Sequence, residues 1–350
     1  MTHQGGDLHR LLHGEYGLVA CEIVPLHIGD RRRVYHVRAK RDEFILAEVV
    51  ATYCDQASLK DRLALLGFLH DNKFPVPKIL SALSGSLFVT FGTGRFVLEE
   101  YVAGEVGDDL RLSDKKLAEA AITLGRYHRL MRTIPHPAWL PSTNVRYRPE
   151  LFFDVDEALS LWRKVLDRGA GVDSDIVVKT VGQANCRLLE GLREEIDDLN
   201  QRTRLVRAEL CHGDFRAPNL IFRGNDVVSV IDWEFARRLP RCWEVIRAAC
   251  AMSRLEPTEF FNTPVDWGRL RTFVTAYHQM ERLSVEEARL MARMGRIAAL
   301  LPSFFLIMKY VHRDPAAEQL APTSVEHWRY WEDNWRRLEE EAVHWVADLR

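Results

Sequence analysis

Three oxygen-bearing side chains in the middle of the chain have types and a spacing that could do chemistry. Asp214 lies five residues before Asn219, and Asp232 lies thirteen residues after Asn219. Carboxylate and amide oxygens are the ligands that a hard divalent cation such as Mg²⁺ prefers, and such an ion can bridge nucleotide phosphates. If Asn219 and Asp232 share that ion, Asp214 is left to orient a hydroxyl and take up its proton. Phosphoryl transfer requires this division of roles.

A predicted β-hairpin positions two of these residues. The runs Asn219–Phe222 and Val227–Ile231 are rich in apolar and β-branched residues, and the turn-forming segment Arg223–Asp226 separates them. Because Asn219 opens the first run and Asp232 follows the second, antiparallel pairing would place both at one end of the hairpin.

The elements around the hairpin divide the chain into two parts. Before residue 104, two further hairpins are predicted, Val34–Arg38 with Phe44–Val50 and Leu87–Phe91 with Arg95–Val102. Leucines at helical spacing predict a helix between them, over Leu59–Leu69. After Gly104 the apolar periodicity becomes helical, and it predicts long helices over Lys115–Met131, Leu151–Leu166 and Asp175–Leu199.

Composition excludes several classes of protein. Apolar residues make up 47% of the chain and charged residues 28%, which is typical of a soluble globular protein rather than a disordered one. The net charge of −2 lacks the basic excess that nucleic acid or anionic membranes would attract. The six cysteines form no CxxC pair, and no signal peptide or membrane span is visible, so we expect a cytoplasmic protein with no nucleic-acid or membrane partner.

The central motif resembles that of a known family. His212-Gly-Asp-x-x-x-x-Asn219, followed by Ile231-Asp-Trp-Glu234, is similar to the motif of the aminoglycoside phosphotransferase and choline kinase group. The resemblance implies an α+β fold of protein-kinase type, with a small, mostly antiparallel β lobe (1–103) and a larger helical lobe (104–350). It implies an ATP- and Mg²⁺-dependent phosphotransferase acting on a hydroxyl of a small molecule.

The resemblance also implies roles for individual residues. Asp214 would be the catalytic residue, and Asn219 and Asp232 would hold magnesium. Adenine would contact backbone groups near Glu100 and Val102, in a hinge that connects the lobes.

One position departs from the family pattern. Relatives carry a phosphate-binding lysine where this chain has Ala47, and a glutamate partner for it near Arg62, Leu63 or Ala64. Bacterial homoserine kinases of this superfamily are similar in lacking the lysine. We expect a replacement cation from the arginine run after Gly29, which comprises Arg31, Arg32 and Arg33.

Several interpretations stay open at this stage. The chain could be a catalytically impaired nucleotide-binding pseudokinase, or a phosphotransferase that inactivates an antibiotic. Glu234 could assist the metal or cap the following segment. His128 and His278 are interpreted as core or surface histidines rather than ligands. The tryptophans of the last helix are interpreted as core, with an aromatic box for a cation as the alternative. The sequence does not identify the acceptor or the oligomeric state.

Overall fold

The computed structural model describes residues 5–19, 21–28, 32–40, 42–50, 56–92, 94–133, 155–168, 183, 186–204, 206, 208–255, 264–298 and 324–348. These residues fall into two compact units. The first unit contains the chain up to Val106 together with the later segment Asn219–Ala236. The second unit contains the other described residues, including Gly107–Pro218 where described and everything from Arg237 onward.

The first unit is built on an antiparallel sheet with the strand order β1-β2-β3-β6-β4, in which β5 also pairs with β6. Its strands are β1 (Cys21–Ile28), β2 (Arg32–Ala39), β3 (Asp42–Val50), β4 (Ile79–Leu80), β5 (Val89–Phe91) and β6 (Gly94–Glu100). Its helices are α1 (Gly5–Tyr16) and α2 (Gln56–Asp71). The two hairpins predicted before residue 104 and the helix predicted over Leu59–Leu69 are therefore confirmed.

The pleat of this sheet separates two chemical environments, because successive side chains point to opposite faces. On one face Leu46 and Phe96 pack with the α1 residues Leu11 and Leu12 in a closed apolar core. On the other face the next residue of β3, Ala47, lines a cavity. A shift of register by one residue would exchange the two faces.

A second small sheet in this unit carries the predicted central hairpin. It consists of β9 (Leu220–Arg223), β10 (Asp226–Val230) and the short strand β7 (Glu105–Val106), in the order β10-β9-β7. A Cβ atom on Gly104 would lie 2.5 Å from Ile221 Cγ2 and 2.6 Å from the Phe222 carbonyl oxygen, so only glycine allows this approach. The hairpin prediction is confirmed.

The second unit is mainly helical. Its helices are α3 (Asp114–Arg132), α4 (Val155–Arg168), α5 (Arg193–Thr203), α6 (Arg241–Ser253), α7 (Trp267–Met280), α8 (Val285–Ala298) and α9 (Ser324–Ala347). One antiparallel strand pair, β8 (Ala208–Cys211) with β11 (Arg237–Pro240), lies among them and was not predicted. Part of the helix predicted over Asp175–Leu199 lies outside the described residues. The predicted fold class, a mostly antiparallel β part together with a helical part, is confirmed.

The last helix contributes to the core of this unit. Trp331 and Trp345 of α9 are buried, at 0% and 3% exposure, and α9 packs against α8. For these two tryptophans the core interpretation is confirmed. The side chain of Trp328 lies outside the described residues.

Candidate active site

The loop that carries Asp214 follows directly from a buried strand of the second unit. β8 ends at Cys211, and Gly213 has a φ of +85°, a conformation that glycine adopts without strain. The buried His212 turns back onto the loop, and its Nδ1 accepts the Asp214 backbone N–H at 3.2 Å. This local geometry fixes where the Asp214 side chain leaves the backbone.

A buried carboxylate of α6 anchors this loop. Glu244 accepts the backbone N–H of His212 at Oε2 (3.1 Å) and that of Gly213 at Oε1 (2.6 Å). Backbone N–H groups in a loop have no neighbouring strand to bond to, so a buried side chain must satisfy them. Glu244 thus replaces the partner that a sheet would supply.

His128 of α3 stabilises the charge of Glu244. Its Nε2–H donates to Glu244 Oε2 at 2.9 Å, and the Tyr277 hydroxyl lies 2.7 Å from its Nδ1. Burial would raise the pKa of Glu244, but the hydrogen bond and charge of His128, together with the hydrogen bond from the Gly213 backbone N–H, outweigh it and lower the pKa below its ordinary value. The interpretation of His128 as a satisfied core histidine is confirmed.

Asp214 lines a cavity of the second unit that is partly open to solvent. The lining residues are Gly213, Asp214, Phe215, Leu239, Trp243, Glu244 and Arg247. Arg247 donates to the Gly213 carbonyl oxygen at 3.0 Å, and its Nη2 lies 3.8 Å from Asp214 Oδ1. Burial lowers the pKa of Arg247 to about 10, an effect that Asp214 opposes, so this arginine is still charged at neutral pH. A carboxylate with a fixed orientation therefore opens onto a partly enclosed space beside a cation.

A second buried carboxylate, which sequence reasoning missed, anchors the far end of the loop. Asp109 Oδ1 accepts the Ala217 backbone N–H at 2.8 Å, and Asp109 Oδ2 lies 3.0 Å from Arg254 and 3.4 Å from Arg216. Burial raises the pKa of Asp109, although the two arginines oppose the rise. No signal in the sequence marks Asp109, since its partners lie more than 100 positions away.

Asn219 and Asp232 lie at the same end of the β9–β10 hairpin, in the first unit. The Ile231 backbone N–H donates to the Asn219 carbonyl oxygen at 2.9 Å, and Leu220 pairs with Val230. Asp232 has a left-handed φ of 65° and lines the cavity of this unit, while Asn219 is buried. The hairpin has therefore brought together the two residues that the sequence selected as metal ligands. Their oxygen-only donor set fits a hard divalent cation.

Asp232 is one of eleven described residues that line a cavity of the first unit, which is partly open to solvent. These are Ala47, Val49, Arg62, Leu63, Leu66, Pro77, Val97, Glu99, Ile231, Asp232 and Trp233. The indole of Trp233 donates to the Val230 carbonyl oxygen at 2.9 Å and packs edge-on against Phe74. The walls are mostly apolar.

The predicted hinge lies beside this cavity in sequence. Glu100 ends β6, directly after the lining residue Glu99, and its backbone N–H donates to the Lys78 carbonyl oxygen at 2.9 Å. Val102 follows outside any strand. Contact of adenine with backbone groups near these residues stays a prediction.

The arginine run after Gly29 is only partly described. Arg31 and the side chain of Arg32 lie outside the described residues, so their predicted phosphate role stays a prediction. Arg33 bonds through one nitrogen to both carboxylate oxygens of Glu48, each at 3.1 Å. Glu48 alternates with Ala47 along β3, so this ion pair lies on the face of the sheet opposite the cavity.

Comparison with known proteins agrees with this geometry. A model of the phosphotransferase enzyme family matches residues 22–283. No curated protein sequence matches the chain significantly. No helix among the described residues combines the length and the apolar character needed to cross a bilayer.

Solved structures show the same fold over nearly the whole chain. A microcompartment-associated aminopropanol kinase has a TM-score of 0.66 at 15% identity, covering 96% of this chain and 98% of that one. An ethanolamine kinase of Plasmodium vivax has a TM-score of 0.62 at 14% identity, covering 93% of this chain and 90% of that one. Spectinomycin phosphotransferase in complex with ADP and spectinomycin has a TM-score of 0.58 at 13% identity, covering 98% of this chain and 99% of that one. The predicted kinase-like fold and family resemblance are confirmed, while similarity to the homoserine kinases in particular stays a prediction.

Proposed function

We propose that this chain, which belongs to the phosphotransferase enzyme family, transfers the γ-phosphoryl group of ATP to a hydroxyl of a small molecule in the presence of Mg²⁺. The observation that carries the proposal is Asp214, whose loop is fixed by the buried Glu244 and whose carboxylate opens onto a cavity. A carboxylate held in this way can orient an acceptor hydroxyl and accept its proton as the new P–O bond forms.

The remaining roles follow from the first unit. Its mostly apolar cavity would take the nucleotide, with adenine at the backbone near Glu100 and Val102. Asn219 and Asp232 would hold the magnesium ion, which neutralises phosphate charge when bound. In this proposal residues 1–103 form the nucleotide-binding lobe, and 104–350 carry the catalytic loop and the acceptor site.

The solved neighbours support the nature of the two substrates. One neighbour is described with ADP and another, an amicoumacin kinase, with AMP-PNP and Ca²⁺. Their described acceptors include spectinomycin, aminopropanol and ethanolamine. We therefore propose a small hydroxylated metabolite or antibiotic as acceptor for this chain and place the protein in the cytoplasm, with no nucleic-acid or membrane partner.

Asp214→Asn tests the proposal. With Mg-ATP and a panel of amino alcohols, sugars and aminoglycosides, the wild type should form ADP and the phosphorylated acceptor. The variant should lose about 10²–10⁴-fold in turnover, because removal of a general base has an effect of this size. Its affinity for ATP should stay unchanged.

Asp226→Asn is the matched control, since Asp226 lies exposed at the β9–β10 turn. Equal turnover in the wild type and Asp214→Asn would refute the role of Asp214. If the wild type binds ATP but forms no ADP with any acceptor of the panel, the pseudokinase alternative is favoured, in line with Ala47 at the position of the family lysine. Protection of growing cells against a drug in the panel would favour antibiotic inactivation.

A further inference from the structure

The cavity of the first unit has an uneven distribution of charge. Among the described residues that line it, Arg62 is the one basic side chain, and Glu99 and Asp232 are the two acids. The other eight are apolar. A triphosphate carries several negative charges, so a site built from these walls needs a cation from the protein in addition to a bound metal ion.

Arg62 is positioned by the helix that forms one wall. Leu63 and Leu66, which follow it on α2, line the same cavity, and both are buried. Leu59 and Leu69 of the same helix are also buried. These buried leucines pack α2 into the unit, and the partly exposed Arg62 extends from this helix.

The strand wall leaves space for this side chain. Ala47 and Val49 of β3 and Val97 of β6 line the cavity, and the Ala47 side chain is a single methyl group. A long side chain at position 47 would occupy part of the cavity. The small side chain of Ala47 therefore leaves cavity space that the arginine side chain of α2 can enter.

We propose that Arg62 binds the α- and β-phosphates of the nucleotide, so that the phosphate-binding cation is supplied by helix α2 rather than by strand β3. The inference rests on the proposed function, because it requires ATP in this cavity. The planar guanidinium offers parallel N–H donors that match two phosphate oxygens.

Arg33 of β2 is not an equivalent candidate. Arg33 bonds with the buried Glu48 on the other face of the sheet. Breaking that pair to reach the nucleotide would leave a carboxylate buried without its partner, which is costly.

The test compares nucleotides that differ only in phosphate. Affinities for ATP, ADP and adenosine are measured calorimetrically, with Mg²⁺ present, for the wild type and Arg62→Met. We expect the variant to bind ATP and ADP about 10–100-fold more weakly, as loss of a charge-assisted hydrogen bond implies. Its affinity for adenosine should not change.

A relocated charge makes the test more specific. In the double variant Ala47→Lys with Arg62→Met, the cation extends from β3 instead of α2, and ATP affinity should recover in part relative to Arg62→Met alone, because the lysine restores the charge but also occupies part of the cavity. Arg62→Lys should lie between the wild type and Arg62→Met. Arg38→Met is the matched control, because Arg38 is an exposed arginine of the same unit that does not line the cavity.

Each result separates this inference from the proposed function. Unchanged ATP affinity in Arg62→Met, or an equal loss of ATP and adenosine binding, would overturn the role of Arg62. If the wild type binds ATP and loses turnover only with Asp214→Asn, the proposed function stands while the inference fails. A wild type that binds no ATP would overturn both.

Discussion

The cavity beside Ala47 and the cavity beside Asp214 differ in how their described walls are built. In the first unit, eight of eleven lining residues are apolar and come mostly from the sheet and from α2. In the second unit, three of seven lining residues are charged, and Asp214 lies on a loop. The contrast follows from where the backbone makes its hydrogen bonds.

Neighbouring strands satisfy one another's backbone N–H and C=O groups, so side chains on a sheet are not needed as hydrogen-bond partners for the backbone and can be apolar. In the loop from His212 to Ala217, several backbone N–H groups have no neighbouring strand to accept their hydrogen bonds. The backbone N–H groups of His212, Gly213 and Ala217 go instead to Glu244 and Asp109. The lining residues of the first cavity are thus held in place mainly by apolar packing, whereas the loop that lines the second cavity is held by buried charged side chains.

The largest expected effect is that of Glu244→Gln. Glutamine keeps the shape but has one acceptor oxygen, so its amide NH₂ must face one of the N–H donors that Glu244 now accepts. We expect a loss of about 3–5 kcal/mol in stability, typical of a broken buried charge pair, together with a strong loss of turnover. Thermal unfolding and ADP formation measure the two effects.

Glu340→Gln is the matched control, since Glu340 is exposed on α9. A stability of Glu244→Gln equal to that of this control would contradict the idea that buried charge holds the loop.

The next expected effect is acid sensitivity that originates in the second unit. The folded protein lowers the pKa of Glu244 and of Glu287, in both cases because hydrogen bonds and nearby charge outweigh burial. Groups with a depressed folded pKa contribute stability above their unfolded value, 4.5 for glutamate, and that stability is lost as the pH falls further. We expect the unfolding temperature to fall steeply below about pH 4.5 and less steeply in Glu244→Gln. Parallel curves for the two proteins would exclude Glu244 as a source.

Asp109→Asn should have a smaller effect. The variant keeps an oxygen for the Ala217 N–H but loses the charge that pairs with Arg216 and Arg254. We expect a loss of about 1–3 kcal/mol and a moderate decrease in turnover. The adjacent Asp108→Asn, at an exposed residue, should change neither. Unfolding curves and initial rates decide, and the idea fails if the two variants behave alike.

Ala47→Leu tests the first cavity. We expect the fold to tolerate this substitution and the protein to bind ATP more weakly. The larger apolar side chain fills space at the β3 wall, so ATP affinity should fall about tenfold or more, which corresponds to about 1.4 kcal/mol. The unfolding temperature should change little. Ala64→Leu places the same substitution at an exposed position of α2 and should leave ATP binding unchanged. Normal ATP affinity in Ala47→Leu would argue against a nucleotide in this cavity.

The smallest effect is expected for a surface charge pair of the first unit. Arg38 and Glu22 lie 3.1 Å apart but are 50% and 61% exposed. Arg38→Met should therefore cost less than about 1 kcal/mol, because water screens exposed pairs. A larger loss in thermal unfolding would show that charge also matters for the sheet.

The sequence could predict what depends on local pattern. Alternation and turn residues identified the β9–β10 hairpin, and with it the proximity of Asn219 and Asp232. Helical spacing identified α2 and α3. The strand pair β8–β11 was missed because each strand has only four residues and its partner lies far along the chain.

The sequence by itself determined the residue types of the candidate site, since Asp214, Asn219 and Asp232 are linked by a short motif and one hairpin. Only the tertiary structure decided which residues support them. Glu244, Asp109 and Arg62 have their positions through helix packing and through contacts between distant segments, and local pattern carries no record of such contacts. A buried carboxylate can be recognised as an anchor only when the N–H groups that it accepts are known, and those groups are brought to it by the fold.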